Sequence, residues 1–307
     1  MITAADRTVT VTPALPTDLL PTLRPLIASR QDPTIRVRPT GVARACHTPE
    51  GPGTLVATAT AAAVGGFQVR TFGPGARWLA ERAHGVLGAR DDLSGFDPTR
   101  HPVVARAHHR RPGLRMLCTG TVVDVLVPTI IAQRVTSLEA ARSWTRLVRT
   151  LGTRAPGPFE LLLPPAPEIL TRTPAARFHT LGIERTRARR IVDACREVGH
   201  LDAALTSDHG QRLARLAAVP GIGTWTAAHL ARVAAGDADA VEVGDHNVKD
   251  LVAWNLAGEP RGTDERMLEL LAPFAGHRGR VIRLLTSAGQ RPPRYGPRQR
   301  LHPVEHL

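Results

Sequence analysis

The stretch that decides the fold is LAAVPGIGTWTAAHLARVAAGDADAVEVGDHNVKDLVAWNL, which runs from Leu216 to Leu256. Two apolar segments with helical spacing flank a Pro-Gly-Ile-Gly turn at 220–223, and Asp245 follows 22 residues after Gly223. The pattern predicts two helices joined by a tight turn near 213–235 and a further helix over 245–256. Asp245 stands out because the chain as a whole has a formal net charge of +13.

The turn itself has the features of a phosphate-binding corner. Gly221 and Gly223 carry no side chain that would block the backbone, and amides at the start of a helix attract an anion. Thr224 is placed to cap the second helix. A Gly-x-Gly turn between helices is also typical of an ordinary αα-corner, so the turn alone does not decide between the two interpretations.

Composition limits the class of protein. The chain has 307 residues, 42% of them hydrophobic, which is enough for one large domain or two ordinary ones. It contains no uninterrupted apolar run long enough to span a membrane, and the N-terminus lacks the pattern of a signal peptide. Cys46, Cys118 and Cys195 lie too far apart for a metal motif or a disulfide framework. We expect a cytoplasmic protein with no membrane contact, no metal and no cofactor.

The positive charge is concentrated after residue 98. Residues 1–98 carry 10 basic and 8 acidic side chains, whereas residues 99–307 carry 30 and 19. An excess of this size suggests a polyanionic partner such as nucleic acid, although a generic solvated surface accounts for charge alone equally well. Almost all of the basic residues are arginines, and Lys249 is the only lysine.

The order of predicted elements divides the chain into three parts and gives an α+β fold overall. Residues 1–98 combine short alternating segments with two helical ones, which predicts a small α+β module. Residues 99–288 are predicted to be nearly all helix, including a helix over 137–151, with short Gly- or Pro-containing connections, as in a helical bundle. Residues 289–307 are rich in Pro and Arg, which predicts a disordered basic tail.

Several segments together resemble the helix-hairpin-helix/Gly-Pro-Asp superfamily of DNA glycosylases and, within it, the DNA-3-methyladenine glycosylase II enzymes. The hairpin reads PGIGTWTA at 220–227, as in that group. The segments LVPTIIAQRVTSLEAARSW (126–144) and LGIERTRA (181–188) resemble earlier parts of the same domain. The first 98 residues suit the TATA-binding-protein-like module of this subfamily. The similarity thus covers most of the chain.

The resemblance implies roles for individual residues. Asp245 stands at the position of the catalytic aspartate, and Trp225 stands where strand-cleaving members of the superfamily carry a lysine. We therefore expect a monofunctional glycosylase of base excision repair that leaves an abasic site. It would act as a monomer on double-stranded DNA. The base pocket is assigned to Trp225, His229 and His246. DNA contacts are assigned to Gln133, Arg134, Gly221, Gly223, Thr224, Thr226 and Lys249.

The chemistry of the aspartate can be argued from the reaction. Breaking an N-glycosidic bond develops positive oxocarbenium character on the sugar, and a fixed carboxylate nearby stabilises that charge. Asp245 follows a glycine and precedes a helical segment, so we expect it at the helix N-cap. A purely structural cap is the alternative that residue type and position alone would favour.

The predicted pocket departs from the family in ways that leave the substrate open. His229 and His246 replace tyrosines, and our alignment gives Arg283 where a further tryptophan is expected. Only 4% of all residues are aromatic. An alkylated base is the expectation from the resemblance, and a neutral, non-alkylated lesion is the alternative. A noncatalytic DNA-structure-binding protein with a degenerate pocket is the rival function.

Overall fold

The structure, a computed structural model, describes residues 5–60 and 66–293. The fold is α+β, as predicted: a five-stranded antiparallel sheet precedes a region that is almost entirely helical. The strands are β1 (Arg7–Val11), β2 (Ile35–Arg38), β3 (Gly41–Thr48), β4 (Gly51–Ala59) and β5 (Phe67–Phe72), in the order β1-β5-β4-β3-β2. Two helices belong to this part of the chain, α1 (Leu19–Leu23) and α2 (Ala76–Val86).

Alternating apolar residues explain how the sheet packs against its helix. In β5 the side chains of Phe67 and Val69 are buried while Gln68 between them is exposed. Helix α2 buries Leu79 and Ala83 completely, and these residues join the same apolar cluster as the sheet. Helical spacing over 17–28 predicts one longer helix, but α1 covers only Leu19–Leu23, and a 3₁₀ turn that contains Pro25 follows at Arg24–Leu26.

The helical region begins with α3 and ends with α14. The helices are α3 (Pro102–Arg110), α4 (Val123–Ile131), α5 (Ser137–Leu151), α6 (Pro167–Arg172), α7 (Ala175–Thr180), α8 (Arg185–Arg196), α9 (Val198–Ala204), α10 (His209–Ala217), α11 (Thr224–Leu230), α12 (Val248–Ala257), α13 (Asp264–Leu271) and α14 (Arg278–Ala288). A π-helical turn, Ala231–Ala235, extends α11. A small strand pair, β6 (Thr153–Arg154) and β7 (Leu162–Leu163), was not predicted.

The buried apolar residues form two main clusters. The larger one joins the sheet to the helices from α4 to α11, including Leu126 and Ile130 of α4 and Leu230 of α11. The second joins α3 to α12, α13 and α14 through residues such as Val104 and Val252. The connection from α11 to α12 crosses from one cluster to the other, and it carries Asp245.

Three expectations concern the C-terminal tail, membrane-spanning helices and the boundary between the two parts of the chain. Most of the predicted basic tail, residues 294–307, lies outside the described residues. In the described part of the chain, no helix is long and apolar enough to cross a membrane. The predicted division at residues 98–99 falls in the 3₁₀ turn Pro98–Arg100 just before α3, and it stays a prediction.

Candidate active site

The hairpin has the predicted geometry. Helix α10 ends at Ala217, and α11 begins at Thr224 after a turn in which Gly221 adopts a left-handed φ of 87°. A Cβ at Gly221 would lie 2.9 Å from Cγ of Arg190, so the position requires glycine for two reasons. Buried Ile222 anchors the turn, while Gly221 and Gly223 on either side are exposed. The glycine amides are therefore presented at the surface.

The predicted capping role of Thr224 is wrong. Gly223 is the N-cap residue, with an extended backbone (φ −82°, ψ 176°), and no side chain caps α11. Because the chain turns into the helix directly after Gly223, Thr224 is the first helical residue. The first amides of the helix are left without a side-chain acceptor, and the Thr224 side chain is exposed beside them.

Gln133 and Thr226 bond to each other inside the protein. The Gln133 amide donates to the Thr226 hydroxyl over 3.0 Å, and Arg190 donates to the Gln133 carbonyl oxygen over 2.8 Å. Thr226 is 1% exposed, so its side chain is not available to a phosphate, contrary to our assignment. These bonds tie the turn after α4 to the hairpin.

Arg134 has an unusual backbone conformation next to this junction. It is the only non-glycine residue with a positive φ, 58°, in the described part of the chain. The left-handed region costs an ordinary residue free energy, which a function at that position can justify. The Arg134 side chain is exposed, and no ion pair to it is formed within the described residues.

Asp245 is held by three hydrogen-bond donors. The amides of Asn247 and Val248 donate to its Oδ1 over 2.8 and 3.0 Å, and the indole N–H of Trp225 donates to its Oδ2 over 2.9 Å. Helix α12 begins at Val248, not at 245 as predicted, because Gly244 with a φ of 87° and the turn after it precede the helix. The N-cap residue is Asn247, so the predicted N-cap position of Asp245 is wrong; Asp245 accepts from the amide of the N-cap residue and from that of Val248, the first helical residue.

The loop between α11 and α12 is acidic, and Asp245 differs from its neighbours. The other three carboxylates pair with arginines on the surrounding helices: Asp237 with Arg212, Asp239 with Arg278, and Glu242 with Arg232. Within residues 5–60 and 66–293, Asp245 forms no ion pair. Its three donors are neutral groups, so its negative charge is fixed in place but not cancelled by a cation.

His229 forms part of a stacked and ion-paired arrangement. Its ring lies 5.8 Å from the Trp225 ring, centroid to centroid, at an interplanar angle of 20°. Its Nδ1 lies 2.6 Å from Oε1 of Glu242, which also accepts from Arg232 over 2.6 Å. Burial by itself would raise the pKa of Glu242, but Arg232 and His229 outweigh it and hold that pKa far below its usual range.

His246 and Arg283 do not line the cavity that Trp225 and His229 line. The His246 side chain is exposed and does not line the cavity that Trp225 and His229 line. Arg283 is buried and donates to the Pro21 carbonyl oxygen. Burial, reinforced by Arg232, lowers the pKa of Arg283 to about 9. Arg283 is likewise not among the cavity-lining residues.

A cavity of about 200 Å³ lies where the sheet meets α4 and α11. Its wall includes three aromatic rings, those of Trp144, Trp225 and His229. It also includes a buried ion pair, Arg44 of β3 with Asp124 of α4, which sequence reasoning missed because the two residues are 80 positions apart. Trp225 thus lines the cavity with its ring and bonds to Asp245 with its N–H.

The charges at this wall affect each other. Burial raises the pKa of Asp124, and Arg44 offsets this only in part. Burial lowers the pKa of Arg44, but the charges of Asp124, Cys46 and Asp32 together outweigh it, so that pKa is raised. Among the described residues, no cluster of His, Cys, Asp and Glu has the arrangement of a metal site.

This chain is similar to known proteins in structure but not detectably in sequence. No protein-family model matches the sequence, and no curated protein matches it significantly. The 3-methyladenine DNA-glycosylase from Archaeoglobus fulgidus superposes with a TM-score of 0.77 at 16% identity, over 91% of this chain and 98% of that chain. The 8-oxoguanine glycosylase/lyase of Clostridium acetobutylicum, solved with double-stranded DNA, gives 0.67 at 13% identity, over 93% and 96%.

A third solved structure is similar over part of the chain. The 3-methyladenine DNA glycosylase Mag1 of Schizosaccharomyces pombe, in complex with abasic DNA, gives a TM-score of 0.50 at 16% identity, over 64% of this chain and 95% of that chain. At such identities the similarity concerns the fold. The chain shares the fold of these DNA glycosylases over more than nine tenths of its length.

Proposed function

We propose that this protein is a monofunctional DNA glycosylase that hydrolyses the N-glycosidic bond of a damaged base extruded from double-stranded DNA. The observation that carries the proposal is the double role of Trp225. Its ring lines a cavity suited to a base, and its N–H holds the carboxylate of Asp245. A base in the cavity would bring its sugar toward an aspartate whose charge is not paired.

Asp245 is the residue that acts on the sugar. As the glycosidic bond breaks, positive charge develops on the sugar carbon, and a carboxylate that is already oriented stabilises it without reorganisation. The same carboxylate can orient the attacking water. Because the donors to Asp245 are two amides and an indole, its charge remains available for this purpose.

The reaction type rests on residue 225. Solved structures with this fold include both a 3-methyladenine DNA-glycosylase and a glycosylase/lyase, so the fold alone does not decide whether the strand is cut. A lyase needs an amine to form a Schiff base with the sugar. Trp225 has none. Lys249 lies near Glu265, whose pKa is lowered by hydrogen bonds from its own backbone and Thr263 and, to a smaller extent, by Lys249.

DNA would be held by the hairpin and by arginines. The exposed turn at Gly221, Gly223 and Thr224 offers its amides to a backbone phosphate. Arg134 is exposed at the turn after α4, where its planar guanidinium would fill the gap left by the extruded base. Lys249 would add a phosphate contact. Glycosylases of this fold have been solved bound to DNA, and we propose that this chain acts on DNA as a monomer.

The proposed lesion is a damaged purine that is neutral, with a cationic alkylated purine as the alternative. Arg44 and His229 line the cavity, and Arg232 lies beside His229. Arg44 is paired with Asp124 and Arg232 with Glu242, so the wall carries no net negative charge to attract a cationic base. The aromatic rings of Trp144 and Trp225 would nevertheless favour one. The rival function, binding of DNA structures without catalysis, is suggested by the low aromatic content of the chain, 4% of all residues.

One assay tests the proposal. Duplexes that carry hypoxanthine, uracil, 7-methylguanine, 3-methyladenine or 8-oxoguanine are incubated with the protein, and abasic sites are revealed by alkali. We expect release of at least one base by the wild-type protein and none by Asp245→Asn. Binding of all duplexes without release of any base would favour the noncatalytic function.

A further inference from the structure

The cavity beside Trp225 contains a buried ion pair that cleavage of the glycosidic bond does not require. Arg44 and Asp124 both line the cavity, and their side chains are 5% and 8% exposed. A buried ion pair rarely stabilises a fold more than apolar residues of the same volume would. Its position at a cavity wall therefore calls for an explanation other than stability.

One oxygen of this pair is unsatisfied. Oδ2 of Asp124 accepts from Arg44, whereas Oδ1 is buried and has no hydrogen-bond partner in the described part of the chain. Leaving a buried carboxylate oxygen without a donor is unfavourable. An oxygen of this kind in the wall of a cavity becomes satisfied when a ligand brings an N–H to it.

Arg44 has donors to spare. Within residues 5–60 and 66–293, its guanidinium makes one side-chain hydrogen bond, the one to Asp124. An arginine carries five N–H groups, so the others are free to bind an acceptor on a ligand. The pair thus offers an acceptor and a donor next to each other, which is a pattern that can read the edge of a planar base.

Resting on the proposed glycosylase function, we propose that Asp124 and Arg44 determine specificity by reading a lactam edge of the extruded base. Asp124 Oδ1 accepts the ring N–H, and Arg44 donates to the adjacent carbonyl oxygen. Hypoxanthine presents such an edge as N1–H beside O6. Arginine commonly binds the O6 of a purine, and carboxylates accept from the N–H groups of bases. A base methylated at the ring nitrogen has no such donor.

The rest of the cavity fits a flat, uncharged ring. A protein cavity of about 150 Å³ holds a benzene ring, so a volume of about 200 Å³ suits one base. The indole rings of Trp144 and Trp225 provide apolar walls. Since Arg44 and Asp124 cancel each other's charge, a neutral base satisfies both without leaving an excess charge in the pocket.

The first measurement compares two substrates with the wild-type protein. Single-turnover release is followed on matched duplexes that carry hypoxanthine or 1-methylhypoxanthine. Loss of a hydrogen bond to a charged group predicts slower release of the methylated base, on the order of 10- to 100-fold. Equal rates for the two bases would overturn the proposal.

The second measurement asks whether Asp124 causes the difference. In Asp124→Asn the rate ratio between the two bases should shrink toward one, while affinity for a duplex with a stable abasic analogue stays unchanged because no base is present. A ratio as large as in the wild type would mean that the methyl group acts only through its size, and the proposal would be wrong. If this variant does not fold, Asp124→Ser is measured in the same way.

The matched control is Asp202→Asn. Asp202 is another carboxylate at the same end of α4, where it accepts from the Thr121 hydroxyl and the Val122 amide, and it does not line the cavity. Its variant should keep the wild-type ratio. If the protein releases other lesions but releases hypoxanthine and 1-methylhypoxanthine at equal rates, the proposed recognition of the lactam edge is wrong and the glycosylase function stands. Failure to release any base from any duplex would remove the glycosylase function as well.

Discussion

Replacement of Asp245 by asparagine separates the chemistry of this site from its fold. The asparagine oxygen can still accept from the amides of Asn247 and Val248, because it replaces Oδ1 in shape. The amide nitrogen then faces the indole N–H of Trp225, and that hydrogen bond is lost. The expected cost in stability is about 1 kcal/mol, equivalent to a melting temperature lower by about 2–4 °C.

The loss in rate should be much larger than this. Two unit charges about 4 Å apart attract each other by about 4 kcal/mol at an effective dielectric constant of about 20. If the sugar develops much of a unit charge in the transition state, removing the carboxylate slows base release by roughly 10³-fold. Affinity for a duplex with an abasic analogue should fall little, since the hairpin and arginines are unchanged.

The assay is single-turnover base release from the best substrate of the panel, followed by alkaline cleavage of the product. Asp264→Asn is the matched control. Asp264 accepts from the Gly244 amide over 3.1 Å, and an asparagine oxygen can keep this bond while the same charge is lost. The control should release base at close to the wild-type rate. Release by Asp245→Asn within about tenfold of wild type, or an equal loss in the control, would refute the catalytic assignment.

Four further outcomes are expected. Borohydride during turnover should trap no covalent adduct with DNA, and an adduct that disappears in Lys249→Ala would identify a lyase instead. Trp225→Phe keeps a smaller aromatic ring at the cavity wall but removes the N–H that donates to Asp245, so single-turnover release should slow by about tenfold or more, whereas an unchanged rate would mean that this bond does not matter. DNA affinity measured by fluorescence anisotropy should fall steeply with salt: the logarithm of the binding constant should fall by roughly 0.9 for each tenfold rise in salt and each phosphate contact. An affinity independent of salt would remove DNA as the ligand. Because the pKa of Glu242 is depressed in the fold, ionised Glu242 stabilises the fold above the ordinary glutamate pKa of about 4.3, and this contribution is lost as the pH falls below that value. In urea melts, the free energy of unfolding should therefore fall less with acidification in Glu242→Gln, and an identical fall would contradict the pairing with Arg232.

The elements that the sequence predicted well are those with local signals. Helix α5 was predicted over 137–151 and is observed at Ser137–Leu151, because Thr136 and Glu139 form a capping box that fixes its start. The hairpin was predictable for the same reason, since two glycines and an apolar residue between them specify the turn. The predicted start of a helix was wrong where turn residues precede the helix, as in α12, which begins at Val248.

The site was predictable only in part because its groups come from distant segments. Trp225 and Asp245 lie within one stretch of sequence and were both assigned to the site, although the bond between them was not predicted. The Arg44–Asp124 pair joins β3 to α4 across 80 positions. Nothing local in either segment shows that they meet. Likewise, His229 was assigned to the pocket from its position, but its bond to Glu242 depends on how the loop folds back over α11.

The acidic loop answers why a strongly basic chain places Asp245 where it does. Arg212, Arg278 and Arg232 neutralise the other loop carboxylates and thereby fix the loop to three different helical segments. A loop fixed in this way holds its last carboxylate rigidly without a cation beside it. Pairing Asp245 with an arginine would have held it equally well but would have cancelled the charge that the proposed glycosylase reaction requires beside the sugar in its transition state. The neutral donors, two amides and the Trp225 indole, are therefore the arrangement that gives position without neutralisation.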